Sequence, residues 1–122
     1  MLYDLAILGG GPAGVSAGVY AARKKIKTAF ITKNFENQSA VSENIQNWIG
    51  TVSIKGADLA KNLEAHLRAY AGDSLTIFEK EIIVNLSRKE TGTFLIKTNK
   101  VSFRNKYKSY FYNYETFSLF FH

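Results

Sequence analysis

The chain has 122 residues, 46% of them hydrophobic and 21% charged, with a formal charge of +6 and no cysteine. That describes one small globular domain, not a disordered chain, and too short for two dinucleotide-binding layers. The missing cysteine excludes a disulfide framework, a thiolate metal site and a redox-active Cys pair within these residues.

The first apolar run, Tyr3–Leu8, ends in glycines and reads as a buried parallel strand. Pro12 suits the first turn of a helix that runs on to about Lys25. Its small residues (Ala13, Gly14, Ala17, Gly18, Ala21) let the helix lie close on a sheet. Arg23, Lys24, Lys25 and Lys27 gather near its end, where cations complement the dipole. The remaining basic residues form no stripe and accompany no base-reading motif, so no nucleic-acid partner is expected. Thr28–Thr32 is a second strand. Strand, glycine turn, helix and strand over about 30 residues make a βαβ unit.

Residues 33–48 are polar and irregular, a loop with at most a short helical turn. Gly56–Ala71 is a helix with Leu59, Leu63, Leu67 and Tyr70 on one face, closed by Gly72. Ser74–Phe78, Glu81–Leu86 and Thr93–Thr98 read as strands, expected to be antiparallel, with Lys89–Gly92 turning between the last two. At about residue 101 the composition breaks, because nine of the seventeen aromatics fall in 101–122. Three readings of that stretch stand: a base-stacking segment, a dimer strand, or non-native sequence following a reading-frame change near Lys100. The last is preferred, since the pattern has no sustained period of 2 or 3.6. No run of about 18 apolar residues and no basic leader is present, so neither a membrane span nor a secretory signal is expected, and the expected compartment is the cytoplasm.

The motif that carries chemistry is Gly9-Gly10-Gly11-Pro12-Ala13-Gly14, a G-x-G-x-x-G between a strand and a helix. Gly9 serves the tight turn, Gly11 lets the backbone approach a pyrophosphate, and Gly14 lets helix and strand pack closely. Backbone N–H groups and the helix dipole then meet the phosphate charge. The competing reading is an ordinary glycine turn that binds nothing.

The stretch YDLAILGGGPAGVSAGVYAARKKIKTAFIT resembles the N-terminus of the thioredoxin reductase-like, pyridine nucleotide–disulfide oxidoreductase family. Pro12-Ala13 inside the motif resembles the family's FAD-binding version more than the NAD-binding one. Gln38 matches the glutamine of the family's Gly-Gly-Gln segment. Gln46-Asn47-Trp48-Ile49-Gly50 resembles its Glu-Asn-Trp-Pro-Gly element, and the nine-residue step from Gln38 to Asn47 is the family's too. Lys55–Leu59 resembles the start of the next helix, and Ile83 falls near the backbone that touches adenine. The likeness covers residues 2 to about 100. It implies an α/β fold: a Rossmann-type FAD-binding domain with a parallel sheet, a G-x-G-x-x-G crossover helix and an added β-hairpin or meander, incomplete in this chain. It places residues 1–100 in that domain and 101–122 in an atypical tail. It implies FAD as cofactor, held by the glycine turn, by Thr32 and Lys33 near the adenosine, and by Gln38 and Asn47 toward the flavin. In the full-length family NAD(P)H reduces the flavin, a thioredoxin-like protein disulfide is the acceptor and the protein is a homodimer. No catalytic residue is assigned to these residues.

Departures from the family's pattern bear on the site. Thr32 stands where an acidic residue often grips the ribose, with Glu36 further on. Glu36 and Asn37 replace paired glycines; Asn37 accepts a positive φ at modest cost and Glu36 does not. The strand ending in Ala-Thr-Gly, the NAD(P)H domain and the Cys-x-x-Cys do not occur in the sequence. A nucleotide-binding module without redox chemistry, taking NAD or an adenine nucleotide, and a non-functional fragment are the alternatives. His66 reads as structural, at the edge of the buried helix face. Glu79 and Glu81, two apart in a strand, read as solvated charge and not as a catalytic pair. Trp48 either stacks on a ring or packs under the loop.

Overall fold

The structure, a computed structural model, describes residues 2–36 and 38–100, and the backbone of 102–105. The strands are β1 (Leu2–Tyr3), β2 (Leu5–Leu8), β3 (Thr28–Thr32), β4 (Leu75–Glu79), β5 (Ile83–Arg88), β6 (Phe94–Thr98) and β7 (Ser102–Asn105). The helices are α1 (Pro12–Arg23) and α2 (Gly56–Ala71), with a 3-10 turn at Gln38–Val41.

These elements stack in three layers. The middle layer is a parallel sheet in the order β2-β3-β4. All five residues of β3 are buried, as expected of a central parallel strand covered on both faces. On one face Ile7, Phe30 and Leu75 pack with Val15 and Val19 of α1 and Leu67 of α2. On the other, Ala6, Leu8, Ala29 and Ile31 meet Ile96 of β6, with Phe78, Ile83 and Leu86 against them. The outer layer is the meander β5-β6-β7, joined in parallel along β7 by β1. The added element anticipated from the sequence is therefore a meander. Residues 106–122, most of the aromatic stretch, lie outside the described residues.

The expected Tyr3–Leu8 strand is two strands serving two sheets. Asp4 breaks it, where the Asp4 and Leu5 N–H groups both donate to the Lys27 carbonyl, at 2.9 and 3.2 Å. The antiparallel expectation holds for β5 and β6 but not for β4, which runs parallel to β3. A helical crossover through α2 returns the chain in the same direction, which a parallel neighbour requires.

Helix α1 ends in a Schellman motif. The Ile26 N–H donates to the Ala21 carbonyl at 3.1 Å and the Lys25 N–H to the Ala22 carbonyl at 3.0 Å. That geometry puts Lys25 at φ +55°, a left-handed position usually given to glycine. Helix α2 buries Leu59 and Leu67 and half-buries Leu63, as its spacing predicts. Tyr70 departs from that face and is 50% exposed. It lies in the last turn, where its ring faces Arg23 of α1 at 5.9 Å and His66 at 5.3 Å. His66 is likewise exposed, not at the edge of the core.

The passage from β4 to β5 corrects another expectation. Lys80 takes φ +60° and turns the chain out of the parallel sheet. Glu81 is then buried, not solvated. Its carboxylate accepts a 2.7 Å hydrogen bond from the Thr98 hydroxyl of β6, a partner that offsets the cost of burying it. Glu79 stays exposed and paired with Arg68.

Candidate functional site

Ligands of open α/β sheets bind beyond the carboxyl ends of the parallel strands. Here those ends are Leu8, Thr32 and Glu79. Gly9 leaves β2 at φ +109°, a conformation that favours glycine, with its N–H bonded to the Ile31 carbonyl at 2.9 Å. Gly11 is the N-cap of α1 at φ −76°, and its carbonyl accepts the Val15 N–H at 2.9 Å. That backbone suits any residue, so what a glycine adds at position 11 is the absence of a side chain.

Pro12 opens α1 and no side chain caps it; no acidic residue occupies its first turn. The first N–H groups of a helix have no partner within it, and together with the dipole they favour an anion. Gly14 holds this end against the sheet. A Cβ there would lie 2.0 Å from the Gly9 carbonyl oxygen. Gly10 is equally confined, since a Cβ on it would lie 2.7 Å from Thr32 Oγ1 and 2.8 Å from the Asn34 carbonyl oxygen. The turn, Thr32 and the segment after β3 therefore form one packed unit. Ala13 is exposed on its outer side.

Thr32 is buried, and its hydroxyl donates to the Asn34 carbonyl at 2.6 Å. It supplies no ionised acceptor where the acidic residue of the familiar pattern would stand. Lys33 is exposed, and its carbonyl accepts the Lys80 N–H at 3.1 Å. The Glu81 N–H donates to the Thr32 carbonyl at 3.2 Å, tying the start of the meander to this edge. Ile83 follows two residues later. It is half-buried and packs into the core between sheet and meander, so toward a ligand it presents backbone.

Gln38 and Asn47 are exposed and lie on a separate segment. The 3-10 turn packs on the N-terminal end of α2, where the Gly56 N–H donates to the Ser42 carbonyl at 2.8 Å. Residues 45 to 54 form a narrow loop closed by the Ile45–Ile54 bridge. At its tip Ile49 is 95% and Val52 93% exposed, with Trp48 half-buried. Non-glycine positive φ occurs at Lys25 and Lys80 among the described residues, not at Glu36; Asn37 lies outside them.

Sequence reasoning missed Phe35 and Arg68. Phe35 is buried beside Gly10 and stacks on Phe30, with ring centroids 5.9 Å apart and planes 8° from parallel. The Arg68 guanidinium lies 5.2 Å from the Phe35 ring centroid and pairs with Glu64 and Glu79 at 2.9 Å each. The hydrogen bond to Glu64 raises the Arg68 pKa above its ordinary value; desolvation opposes that and Glu79 adds to it. The Glu64–Arg68 spacing is readable as a helical i, i+4 pair, but the reach to Glu79 and Phe35 is tertiary. Among the described residues no group of three or more His, Asp or Glu could hold a metal, and no helix is long and apolar enough to cross a membrane.

Comparison with known proteins gives a consistent answer. The family described as pyridine nucleotide-disulphide oxidoreductase matches residues 3–113. Thioredoxin reductase of Ureaplasma parvum is 34% identical over 105 residues, which cover 80% of this chain and 33% of that protein. NADH dehydrogenase of Bacillus subtilis is 37% identical over 75 residues, 62% of this chain and 15% of the relative. The crystal structure of T. acidophilum thioredoxin reductase superposes with a TM-score of 0.74 at 34% identity, over 87% of this chain and 34% of that one. The chain thus spans about a third or less of the length of these relatives.

Proposed function

Because the chain belongs to the pyridine nucleotide-disulphide oxidoreductase family, we propose that it is the FAD-binding portion of a redox flavoprotein, with residues 1 to about 100 carrying the cradle. The observation that carries this reading is the glycine turn. An uncapped α1 opens at the carboxyl edge of the parallel sheet, Gly9 turns into it at φ +109°, and a Cβ on Gly10 or Gly14 would strike β3, the segment after it or the turn itself.

In this reading the N–H groups of the first turn of α1, from Gly11 to Gly14, meet the pyrophosphate, and Pro12 costs nothing because its position needs no donor. Thr32 and Lys33 border the adenosine. With the Thr32 hydroxyl committed to Asn34, the ribose is held by shape and by backbone at this edge, not by a carboxylate. Ile83 offers backbone to the adenine. Gln38 and Asn47 reach toward the ribityl chain and the flavin. FAD, when bound, would supply the redox chemistry, and the residues named here would bind and orient it. In the same reading the hydride donor is NAD(P)H and the acceptor a thioredoxin-like protein disulfide, with the whole protein a cytoplasmic homodimer.

The test is a titration of the purified chain with FAD, followed by its visible spectrum before and after desalting. A flavin spectrum that survives desalting is the expected result. A chain that ignores FAD, or that prefers NAD, overturns the reading.

A further inference from the structure

The glycine turn is braced from outside the βαβ unit. Arg68 sits on α2, far from the turn in sequence, yet its guanidinium covers the Phe35 ring at 5.2 Å. Phe35 is 5% exposed, and its Cδ1 stands 3.2 Å from where a Cβ on Gly10 would lie. Nη2 of the same guanidinium lies 2.9 Å from both Glu64 of α2 and Glu79 at the end of β4. A helix, a strand end, an aromatic ring and the turn are thus linked in one line.

An exposed Arg–Glu pair alone contributes little to stability. Here two carboxylates fix a planar cation over a ring, and the guanidinium's geometry suits both contacts where an ammonium's does not. What the arrangement determines is where residues 33–36 sit against Gly10. That segment is the border of the sheet edge at which an adenosine would lie.

We propose that Arg68 is a positioning residue that holds Phe35, and through it the Gly10 side of the turn, and so sets the affinity for the adenosine half of the bound nucleotide. This rests on the flavin reading above, so the experiment separates the two. The full chain, Arg68→Met and Arg68→Lys are titrated with FAD, with ADP, which carries the adenosine half alone, and with FMN, which lacks it. Amide hydrogen exchange is followed over residues 9–11 and 33–36.

Arg68→Met is expected to raise Kd for FAD and ADP by roughly fivefold, the size of one cation–π contact with its ion pairs, while Kd for FMN stays unchanged. Exchange over 33–36 rises, and Arg68→Lys falls between. A folded Arg68→Met that binds ADP as well as wild type, an equal loss for FMN, or unaltered exchange overturns the brace. A wild-type chain that binds ADP but not FAD overturns the flavin reading, while the ADP ratio still decides the role of Arg68. Should Arg68→Met fail to fold, Arg68→Lys carries the same comparison.

Discussion

Replacing Gly14 with alanine tests the close approach on which the turn depends. The new methyl would lie 2.0 Å from the Gly9 carbonyl oxygen. Taking about 3.3 Å as a comfortable carbon–oxygen contact, α1 must retreat from the turn by roughly 1.3 Å. The obstacle is backbone, so no rotamer relieves it. Overpacking of this kind costs about 1–3 kcal/mol, against a helix-propensity gain for alanine of up to about 1 kcal/mol. Gly18→Ala is the internal control. Its methyl would meet Leu67 Cδ1 at 2.6 Å and Phe30 at 3.2 Å, but Leu67 Cδ1 is the end of a flexible side chain, and in the helix interior the propensity gain applies in full. Gly14→Ala should therefore lose about 1–2 kcal/mol in urea unfolding followed by circular dichroism, with a melting temperature lower by roughly 5–10 °C. Gly18→Ala should stay within about 1 kcal/mol of wild type. On the proposed flavin reading, FAD binding should fall with Gly14→Ala beyond what unfolding explains, because the displaced helix end would carry the phosphate donors. Equal stability for the two variants, or a Gly14→Ala that melts with the wild type, would refute the reasoning.

Lys25 occupies the left-handed position of the motif that ends α1, so Lys25→Gly should gain about 1 kcal/mol and raise the melting temperature by several degrees; a loss would show that the lysine side chain supports the helix end. Thr98→Val removes the hydroxyl that serves the buried Glu81 and accepts the Lys100 N–H, which should cost about 1–3 kcal/mol in the same urea assay. Thr98→Ser should recover most of it, and a valine variant as stable as the serine one would exclude this account. Ile49→Asp at the tip of the 45–54 loop should leave the isolated chain's stability within about 0.5 kcal/mol of wild type, and a larger shift in its melt would mean that the tip packs against the body.

Much of the fold is legible from local pattern. The apolar runs of β2 and β3, the glycine punctuation between them and the four-residue spacing of Leu59, Leu63 and Leu67 each obey a rule that needs no distant partner. The glycine turn is readable for the same reason as far as Gly9 and Gly14 are concerned, because the Gly14 constraint comes from the Gly9 carbonyl within the βαβ unit; the Gly10 contacts with Asn34 and Phe35 lie beyond β3. What was not legible depends on pairing over distance. Nothing in Leu2–Leu8 announces that Asp4 divides it between two sheets, since that follows from the Lys27 carbonyl lying beside it. The direction of β4 is set by the crossover through α2, not by its own residues. Glu81 reads as a surface charge until Thr98, seventeen residues on, is placed against it. Phe35 and Arg68 acquire meaning only once the turn, α2 and β4 are side by side.

The pairing of Leu2 with Arg104 and Tyr3 with Asn105 has a consequence for the order of assembly. Its partners lie roughly a hundred residues apart, and contacts of such separation form slowly because a long loop must close first. On a ribosome the βαβ unit and α2 are synthesised well before residue 105 exists, so β2, β3 and α1 can fold while β1 still lacks its partner. In that order the short β1 would be a latch, fastened last, with the glycine turn immediately beyond β2 shaped before the outer layer closes. A nucleotide present during synthesis would meet a turn already formed on a molecule whose meander is still incomplete.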